Sequence, residues 1–267
     1  MPGFTTLFSR ALDIYRNEGA VELLDDGIEY LYENLPVQPD LLYRRYTTRV
    51  KHGVSTYPQR IYWVDPGRIT HSGPHFSREK DIGTVRSGDW DQDCSLFTDS
   101  TVYQGLRERF IEGKNWTETT YYQSRKEKFE HDETVYEYSS PEEFLEGRCT
   151  YLDQLYVNIK QNGYRTQAEL NGTGRDSTRH KTTTVRQQRT HEIGCNVSRD
   201  GELLVNSGNH RLSIAKIQGI DRIPVNIIVR HAQWQEKRAA IKRSVNPVHT
   251  ASASNVDLDH PDIRYLI

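Results

Sequence analysis

IGCNVSRDGELLVNSGNHRLSIAKIQGIDRIPVNIIV, residues 193–229, carries the clearest structural pattern in the chain. Ile193, Cys195 and Val197 alternate with other residues as in a strand, and Asp200-Gly201 is a typical hairpin-turn dipeptide. A glycine then precedes a stretch with helical spacing of apolar residues. The predicted elements are strands over 193–197, 202–206 and 223–229, and a helix that begins near Asn209.

The turn between the second strand and the helix is the sharpest candidate site. Gly208 permits close backbone approach, and the free N–H groups of the helix that starts at Asn209 favour an anion through hydrogen bonds and the helix dipole. His210 and Arg211 add donors, and a guanidinium can hold two phosphate oxygens. The residues alone also allow a simpler interpretation, in which this is a capped helix whose His and Arg brace neighbouring loops.

The same residues resemble a known family signature. VNSGNHRL at 205–212, followed by Ala215-Lys216, Gly219 and IPV at 223–225, resembles the signature of ParB-like and sulfiredoxin-like domains. LYVNIKQNGY at 155–164 resembles the helix ending in glycine that precedes that signature, and IYWVDP at 61–66 resembles the family's opening strand. The resemblance covers roughly residues 60–230, interrupted by a long insertion, and implies an α/β (mixed α+β) domain.

The resemblance also implies a phosphate-binding role for Gly208, Asn209, His210 and Arg211, with ATP, ADP or CTP as the nucleotide. The superfamily includes a CTP-binding DNA-segregation clamp, an ATP-dependent sulfinic acid reductase, a free-serine kinase and reported nucleases. This chain departs from each of the first three. Asn209 stands where sulfiredoxins have a catalytic cysteine and ParB clamps a glutamate, His210 replaces a ParB arginine, and Ser207 replaces an acidic residue of the kinase.

Two carboxylates in Gly88-Asp89-Trp90-Asp91 are the candidate catalytic residues. Asp89 or Asp91 could ligate Mg²⁺ or act as a base toward a hydroxyl acceptor. This hypothesis places at least one of them roughly 4–7 Å, a metal-bridged distance, from the space before the helix of His210. The alternative is a loop with local side-chain hydrogen bonds and a buried Trp90.

A basic segment precedes the first of these strands. The region of about 171–192 has no periodicity, which predicts an exposed loop, and its cations could embrace a nucleotide, contact a nucleic-acid backbone or be solvated. The candidate phosphate contacts are Arg175, Arg179, Lys181 and Arg186.

The remaining pattern predicts three parts. Residues 1–58 form a helical appendage, with two amphipathic helices in 4–35 and a polar linker over Leu35–Pro58; residues 59–244 form the main domain; and 245–267 form a draped tail. Helices are also predicted after Asp99-Ser100 and from Ser140 to Asn162-Gly163, where capping residues and a terminal glycine mark the ends.

Composition narrows the function classes. The net charge is −2 and the pI about 6.6, so no global basic field recruits nucleic acid. Cys94, Cys149 and Cys195 lack metal-type spacing and are interpreted as reduced thiols, no apolar run approaches the roughly 20 residues that span a bilayer, and the start lacks signal-peptide features. We therefore expect a cytoplasmic protein.

The sequence favours nucleotide-dependent phosphoryl chemistry, most like a kinase that acts on a small-molecule hydroxyl. The alternative from another class is a non-catalytic nucleotide- or nucleic-acid-binding module. A nuclease is the third option.

Overall fold

The computed structural model describes residues 38–131, 135–172, 184–245 and 257–266, with scattered positions before residue 38. Most of the two helices expected in 4–35 lies outside the described residues. So do three of the four candidate phosphate contacts in the basic segment, Arg175, Arg179 and Lys181.

The chain forms a mixed α/β structure, as the sequence predicts. The strands are β1 (Ile61–Val64), β2 (His71–Ser72), β3 (Thr84–Arg86), β4 (Ser95–Leu96), β5 (Ile193–Val197), β6 (Leu203–Ser207) and β7 (Ile223–His231). The helices are α1 (Pro39–His52), α2 (Arg78–Asp81), α3 (Thr101–Phe110), α4 (Thr120–Glu130), α5 (Pro141–Phe144), α6 (Thr150–Asn162), α7 (Gln167–Gly172), α8 (Val185–Thr190), α9 (Asn209–Ile217), α10 (Ala232–Val245) and α11 (Pro261–Arg264).

One seven-stranded sheet runs through the described part of the chain in the order β1-β7-β5-β6-β2-β4, with β3 paired to the far end of β7. β5 lies parallel to β7 and antiparallel to β6, so the hairpin predicted from Asp200-Gly201 is confirmed. Every residue of β5 and β7 is buried, as expected for strands with both faces covered.

Helix α9 joins the sheet to a separate layer of helices. Leu212 and Ala215 pack into the core that includes the inner strands, whereas Ile214 packs into the core made by α3, α4 and α6. The start of α9 therefore lies where the sheet and the helical layer meet, and residues from both can reach it.

The helical layer owes its close packing to Gly105 in α3. A Cβ there would lie 2.2 Å from the Cβ of Tyr121 in α4, so a larger residue would push the two helices apart. This contact fixes Tyr121, which is fully buried, close to the start of α9.

Two local predictions are wrong. The polar linker over Leu35–Pro58 is largely helix α1, because Leu41 is buried against the sheet edge with Ile82 and the Asp40 carboxylate is bound by Arg186. The draped tail is in fact anchored, since residues 257–266 include α11 and a fully buried Asp262.

No helix among the described residues is both long enough and apolar enough to cross a membrane.

Candidate functional site

A cleft of about 900 Å³ opens at the end of β6, where the chain enters α9. Its described lining contains no Asp or Glu. Four arginines line it, Arg78, Arg125, Arg148 and Arg211, together with three histidines, His75, His191 and His210. Such a lining favours an anionic ligand.

The predicted turn forms the floor of this cleft. Gly208 has φ +90°, and a Cβ at this position would lie 3.1 Å from Cγ1 of Ile193. The first helical hydrogen bond runs from the Leu212 N–H to the Gly208 carbonyl, and no side chain of the described residues caps the helix. The amide groups of residues 209–211 consequently point toward the cleft without an acceptor in the described structure, as a helix N-terminus that binds an anion requires.

Arg78 clamps the turn from the side. Its guanidinium donates to the carbonyls of Thr190 (2.7 Å) and Glu192 (2.5 Å) and to Oγ of Ser207 (2.6 Å). Burial, followed by the charge of Arg211, lowers the pKa of Arg78 to about 10. Two cations held close together in this way favour an anion beside them.

Asn206 holds the segment that carries His75 over the cleft. Its Oδ1 accepts from the Phe76 N–H at 2.6 Å, and its Nδ2 donates to the Phe76 carbonyl at 3.1 Å. The side chain thus replaces a strand partner for residue 76, and the loop before α2 is fixed to the end of β6.

Arg211 is only partly free for a ligand. Nη2 donates to the His191 carbonyl at 2.7 Å, and Nη1, which has no hydrogen-bond partner in the described residues, lies 3.6 Å from Oε2 of Glu192. Burial raises the pKa of Glu192 to about 7 even though Arg211 opposes the shift. Arg211 therefore neutralises a buried acid as well as facing the cleft.

His210 has a different role from the predicted phosphate donor. Its Nδ1 lies 3.0 Å from Nη2 of Arg148 and its Nε2 lies 2.9 Å from the Tyr121 hydroxyl. Burial, with Arg148 and Arg125 adding to it, lowers the pKa of His210 well below its usual value. The ring is thus a neutral bridge between the helical layer and α9, and only its main-chain N–H remains for a phosphate.

Arg148 is the principal cation that the sequence prediction missed. It lies in a π-helical turn (Leu145–Cys149) between α5 and α6, is 8% exposed, and its Nε has no partner in the described structure. The rings of Tyr136 and Tyr151 lie 4.8 Å and 5.4 Å from its guanidinium. The sequence gives no signal for this role, because Leu145 and Cys149 keep the ordinary four-residue spacing of an α-helix and the contact with His210 is 62 residues away.

Tyr136, on the same side of the cleft as Arg148, has a strained backbone conformation. Its φ is +58°, a left-handed conformation that is costly for a residue with a side chain, and its ring is half exposed over Arg148. Such strain is concentrated at ligand-binding sites because the surroundings must hold it in place.

The predicted position of Asp89 and Asp91 is wrong. Both Asp91 oxygens bind Arg199, whose backbone N–H also donates at 2.7 Å, and Asp89 lies on the same guanidinium at 2.8 Å. Arg199 is in the β5–β6 turn, at the opposite end of a five-residue hairpin from Gly208 and so about 15 Å away. The two carboxylates hold a turn and cannot reach the cleft.

Arg186, the described member of the predicted basic loop, is also structural. It lies in α8 rather than in a loop, is buried, and holds both oxygens of Asp40 in α1 at 2.9 and 3.0 Å. A phosphate could reach this guanidinium only if the pair were broken.

The donor set does not fit the predicted Mg²⁺. No group of three or more His, Cys, Asp or Glu side chains that could hold a metal occurs within the described ranges, and the oxygens of Asp91 are already bound by an arginine. By contrast, a nucleotide phosphate fits the cationic cleft.

Comparison with known proteins adds no assignment: no protein-family model, no curated protein and no solved structure matches the chain.

Proposed function

We propose that this protein is a nucleotide-binding module of the ParB/sulfiredoxin type, with the phosphates in the cleft at Gly208. One observation carries the proposal: an uncapped helix N-terminus opens into a cleft whose described lining contains four arginines and no carboxylate. Backbone amides and guanidinium groups are the donors that proteins use for phosphoryl oxygens.

The charges support a ligand with several negative charges. Arg78 gives three hydrogen bonds to Thr190, Glu192 and Ser207, whereas Arg148 Nε and Arg211 Nη1 are buried without a hydrogen-bond partner among the described residues. A buried donor left unpaired costs about 1–3 kcal/mol, and a bound phosphate would recover it. Tyr136 and Tyr151 beside Arg148 offer ring faces for a base.

The nucleic-acid version of this module has less support. Of the four residues predicted to contact a nucleic-acid backbone, the described one, Arg186, is buried in an ion pair. A concave cleft of this size suits a single nucleotide better than a duplex.

The test is a calorimetric titration of ATP, ADP, CTP and GTP, each with and without Mg²⁺, into the wild-type protein and two variants. Arg148→Gln removes a charged hydrogen bond worth about 1.5–3 kcal/mol, so affinity should fall roughly tenfold or more. Arg222→Gln, at an exposed arginine outside the cleft, is the matched control and should bind as the wild type does. Equal affinity of the two variants, or no binding of any nucleotide, would refute the proposal.

A small-molecule phosphotransferase is the second candidate, favoured by Glu192. This carboxyl group lies behind Arg211, its Oε2 has no hydrogen-bond partner in the described structure, and burial raises its pKa to about 7. Such a pKa suits a general base at neutral pH. In the reaction the acceptor oxygen would bond to the terminal phosphorus and the bond to the leaving nucleotide would break. Because Glu192 is buried and does not itself line the cleft, the hydroxyl proton would pass to its carboxylate through one bridging water.

This candidate predicts nucleotide turnover only when an acceptor alcohol is present. Glu192→Gln should then abolish turnover and, at about pH 6, where the wild-type carboxyl group is mostly protonated, leave nucleotide affinity within a few-fold of wild type. A panel of small hydroxyl compounds that yields no acceptor-dependent turnover would leave the binding module as the function.

A further inference from the structure

The outer face of α1 is an exposed apolar stripe. Tyr43, Tyr46 and Val50 are 70%, 67% and 69% exposed, and Leu42 lies beside them. At the helical repeat of 3.6 residues these four side chains share one face, opposite the buried Leu41. Large aromatic and aliphatic groups grouped on one solvent-facing surface indicate contact with another apolar phase.

Cations border this stripe. Arg45, Arg49 and Lys51 are exposed on α1 and form no ion pair in the described part of the chain. The helix has a single acid, Asp40, and Arg186 holds it at the protein-facing end. The exposed surface of α1 is therefore apolar in its centre and positive at its edges.

A second cationic feature lies next to the stripe. A cavity of about 200 Å³ is bounded by Leu42, Arg45, Tyr57 and Arg60, and no acid occurs in its described lining. The guanidinium carbons of Arg45 and Arg60 lie 4.8 Å and 4.1 Å from the Tyr57 ring, which holds both side chains in place.

The cavity also contains signs of an absent partner. The Nε2 of Gln59 is buried and lacks a hydrogen-bond acceptor in the described residues. Tyr57 has φ +48°, a strained conformation that orients its ring between the two arginines. An anionic group in this cavity would satisfy the amide and face both guanidinium groups.

We propose that the α1 surface, together with the cavity at Arg45 and Arg60, docks onto an anionic phospholipid membrane. Apolar side chains with tyrosine at the centre and basic residues at the edge are the features of helices that lie in the bilayer interface. The cavity adds a place for one headgroup phosphate. A nucleic acid would match the cations but would leave Leu42 and Val50 without apolar contacts.

The proposed surface is separate from the cleft, so the two can be tested independently. None of the four stripe residues lines the cleft at Gly208, and Arg45 and Arg60 line only their own cavity among those described. A variant that loses membrane binding should therefore keep its nucleotide affinity, and failure of one proposal leaves the other untouched.

The experiment is co-sedimentation of the 267-residue protein with vesicles of phosphatidylcholine alone or mixed with phosphatidylglycerol. Binding is expected only to the anionic vesicles and should weaken as salt is added. Arg45→Gln with Arg60→Gln removes two basic groups, each worth about fivefold near such a surface, so partitioning should fall about 25-fold. Tyr43→Ser with Tyr46→Ser should also reduce it severalfold.

Matched controls use exposed residues elsewhere. Ile111→Ser with Val157→Ser removes two exposed apolar groups, and Lys160→Gln removes an exposed cation, so both should sediment as the wild type does. Circular dichroism of every variant establishes that it is folded. The proposal would be overturned if the wild-type protein did not bind anionic vesicles, or if the stripe variants bound them as strongly as the wild type does. Stripe-dependent self-association without vesicle binding would overturn it in favour of a protein interface.

Discussion

The guanidinium of Arg148 lies 3.0 Å from Nδ1 of His210, and this contact fixes the protonation of the histidine. Arginine only donates, so Nδ1 must accept, and the ring proton must be on Nε2, which lies 2.9 Å from the Tyr121 hydroxyl. A residue predicted to hold phosphate with its side chain thus links the wall of the cleft to its floor.

The first prediction concerns the pH dependence of stability. The pKa of His210 lies well below its ordinary value of 6.5 in the folded protein, because of burial and then Arg148. Below that ordinary value the unfolded chain takes up a proton that the folded state rejects. The free energy of unfolding should therefore fall as pH falls below about 6.5, with about 1.4 kcal/mol per pH unit from this one group.

Urea denaturation of wild type and His210→Asn across this range measures the effect. In the variant, the free energy of unfolding should change with pH by about 1.4 kcal/mol less per pH unit than in wild type. Some pH dependence should remain, because burial also lowers the pKa values of His191 and His260 to about 4. Identical slopes would show that His210 titrates normally in the folded protein.

The second prediction concerns anion affinity and Glu192. Burial raises the pKa of this group to about 7, so it gains a negative charge behind Arg211 as pH passes through neutrality. A unit charge at roughly 8 Å contributes about 2 kcal/mol at an effective dielectric constant of about 20. Sulfate, whose own charge stays constant, should bind the wild type at least about tenfold more weakly at about pH 8 than at about pH 6.

Glu192→Gln is the matching variant, because it keeps the shape of the side chain and removes the charge. Its sulfate affinity should be flat over the same range and should exceed that of the wild type at the higher pH. A parallel decline in both proteins would assign the pH effect to some other group.

The third prediction is that Asp91 contributes to stability and not to nucleotide binding. Burial alone would raise the pKa of Asp91, but hydrogen bonds from Arg199 lower it to about 2. This group thus contributes stability that is present above its ordinary value of 3.8 and is lost as pH falls toward 2. Asp91→Ala should cost about 1.5–3 kcal/mol at neutral pH and leave nucleotide affinity unchanged. Acceptor-dependent nucleotide turnover that the wild type shows and a stable Asp91→Ala variant lacks would restore the catalytic hypothesis.

The fourth prediction concerns the C-terminal segment. Asp262 is fully buried, accepts from Nε and Nη2 of Arg230 at 2.8 and 2.7 Å, and also accepts from the Trp234 indole at 3.0 Å. Removing one partner of a buried pair leaves the other charge uncompensated, so Asp262→Ala should cost about 3–5 kcal/mol. Thermal unfolding measures the loss, and Asp259→Ala, at an exposed acid three residues earlier, should lie within about 0.5 kcal/mol of wild type.

Local patterns were sufficient for the fold of residues 193–231. Alternation and a turn dipeptide predicted β5 and β6 to within one residue, and the glycine placed the start of α9 at Asn209. These elements are determined by neighbours in the sequence. The burial of the C-terminal segment could not be predicted in this way. It depends on the ion pair between Asp262 and Arg230, which are 32 residues apart, and no local periodicity encodes that pair.

The site was predicted only where it is continuous in the chain. Gly208 and the amides after it come from one turn, and they do lie at the cleft. Arg78, Arg125 and Arg148 come from three elements that are far apart in the sequence. Their spacing therefore does not predict that they line the same cleft. Asp89 and Asp91 suggest a metal site because two acids lie close together in the sequence, but Arg199, about 110 residues away, binds both carboxylates.

The last prediction tests the turn with a pair of glycines on one helix. Gly208 and Gly219 both have positive φ, +90° and +65°, so alanine at either position carries a similar backbone strain of about 1–2 kcal/mol. They differ in what surrounds them. A Cβ at 208 would lie 3.1 Å from Cγ1 of Ile193 and 3.2 Å from its Cα, whereas a Cβ at 219 would meet nothing within 4 Å.

Because Ile193 is part of the buried β5, it has little freedom to move, and Gly208→Ala must instead displace the first turn of α9. The amides of residues 209–211 would then leave their positions at the cleft. We expect Gly208→Ala to weaken nucleotide and sulfate binding at least about tenfold, about 1.4 kcal/mol, and Gly219→Ala to lose stability only. Calorimetric titration with denaturant unfolding of both variants measures the two effects. Equal anion affinity in the two variants would mean that the helix N-terminus is not the phosphate site.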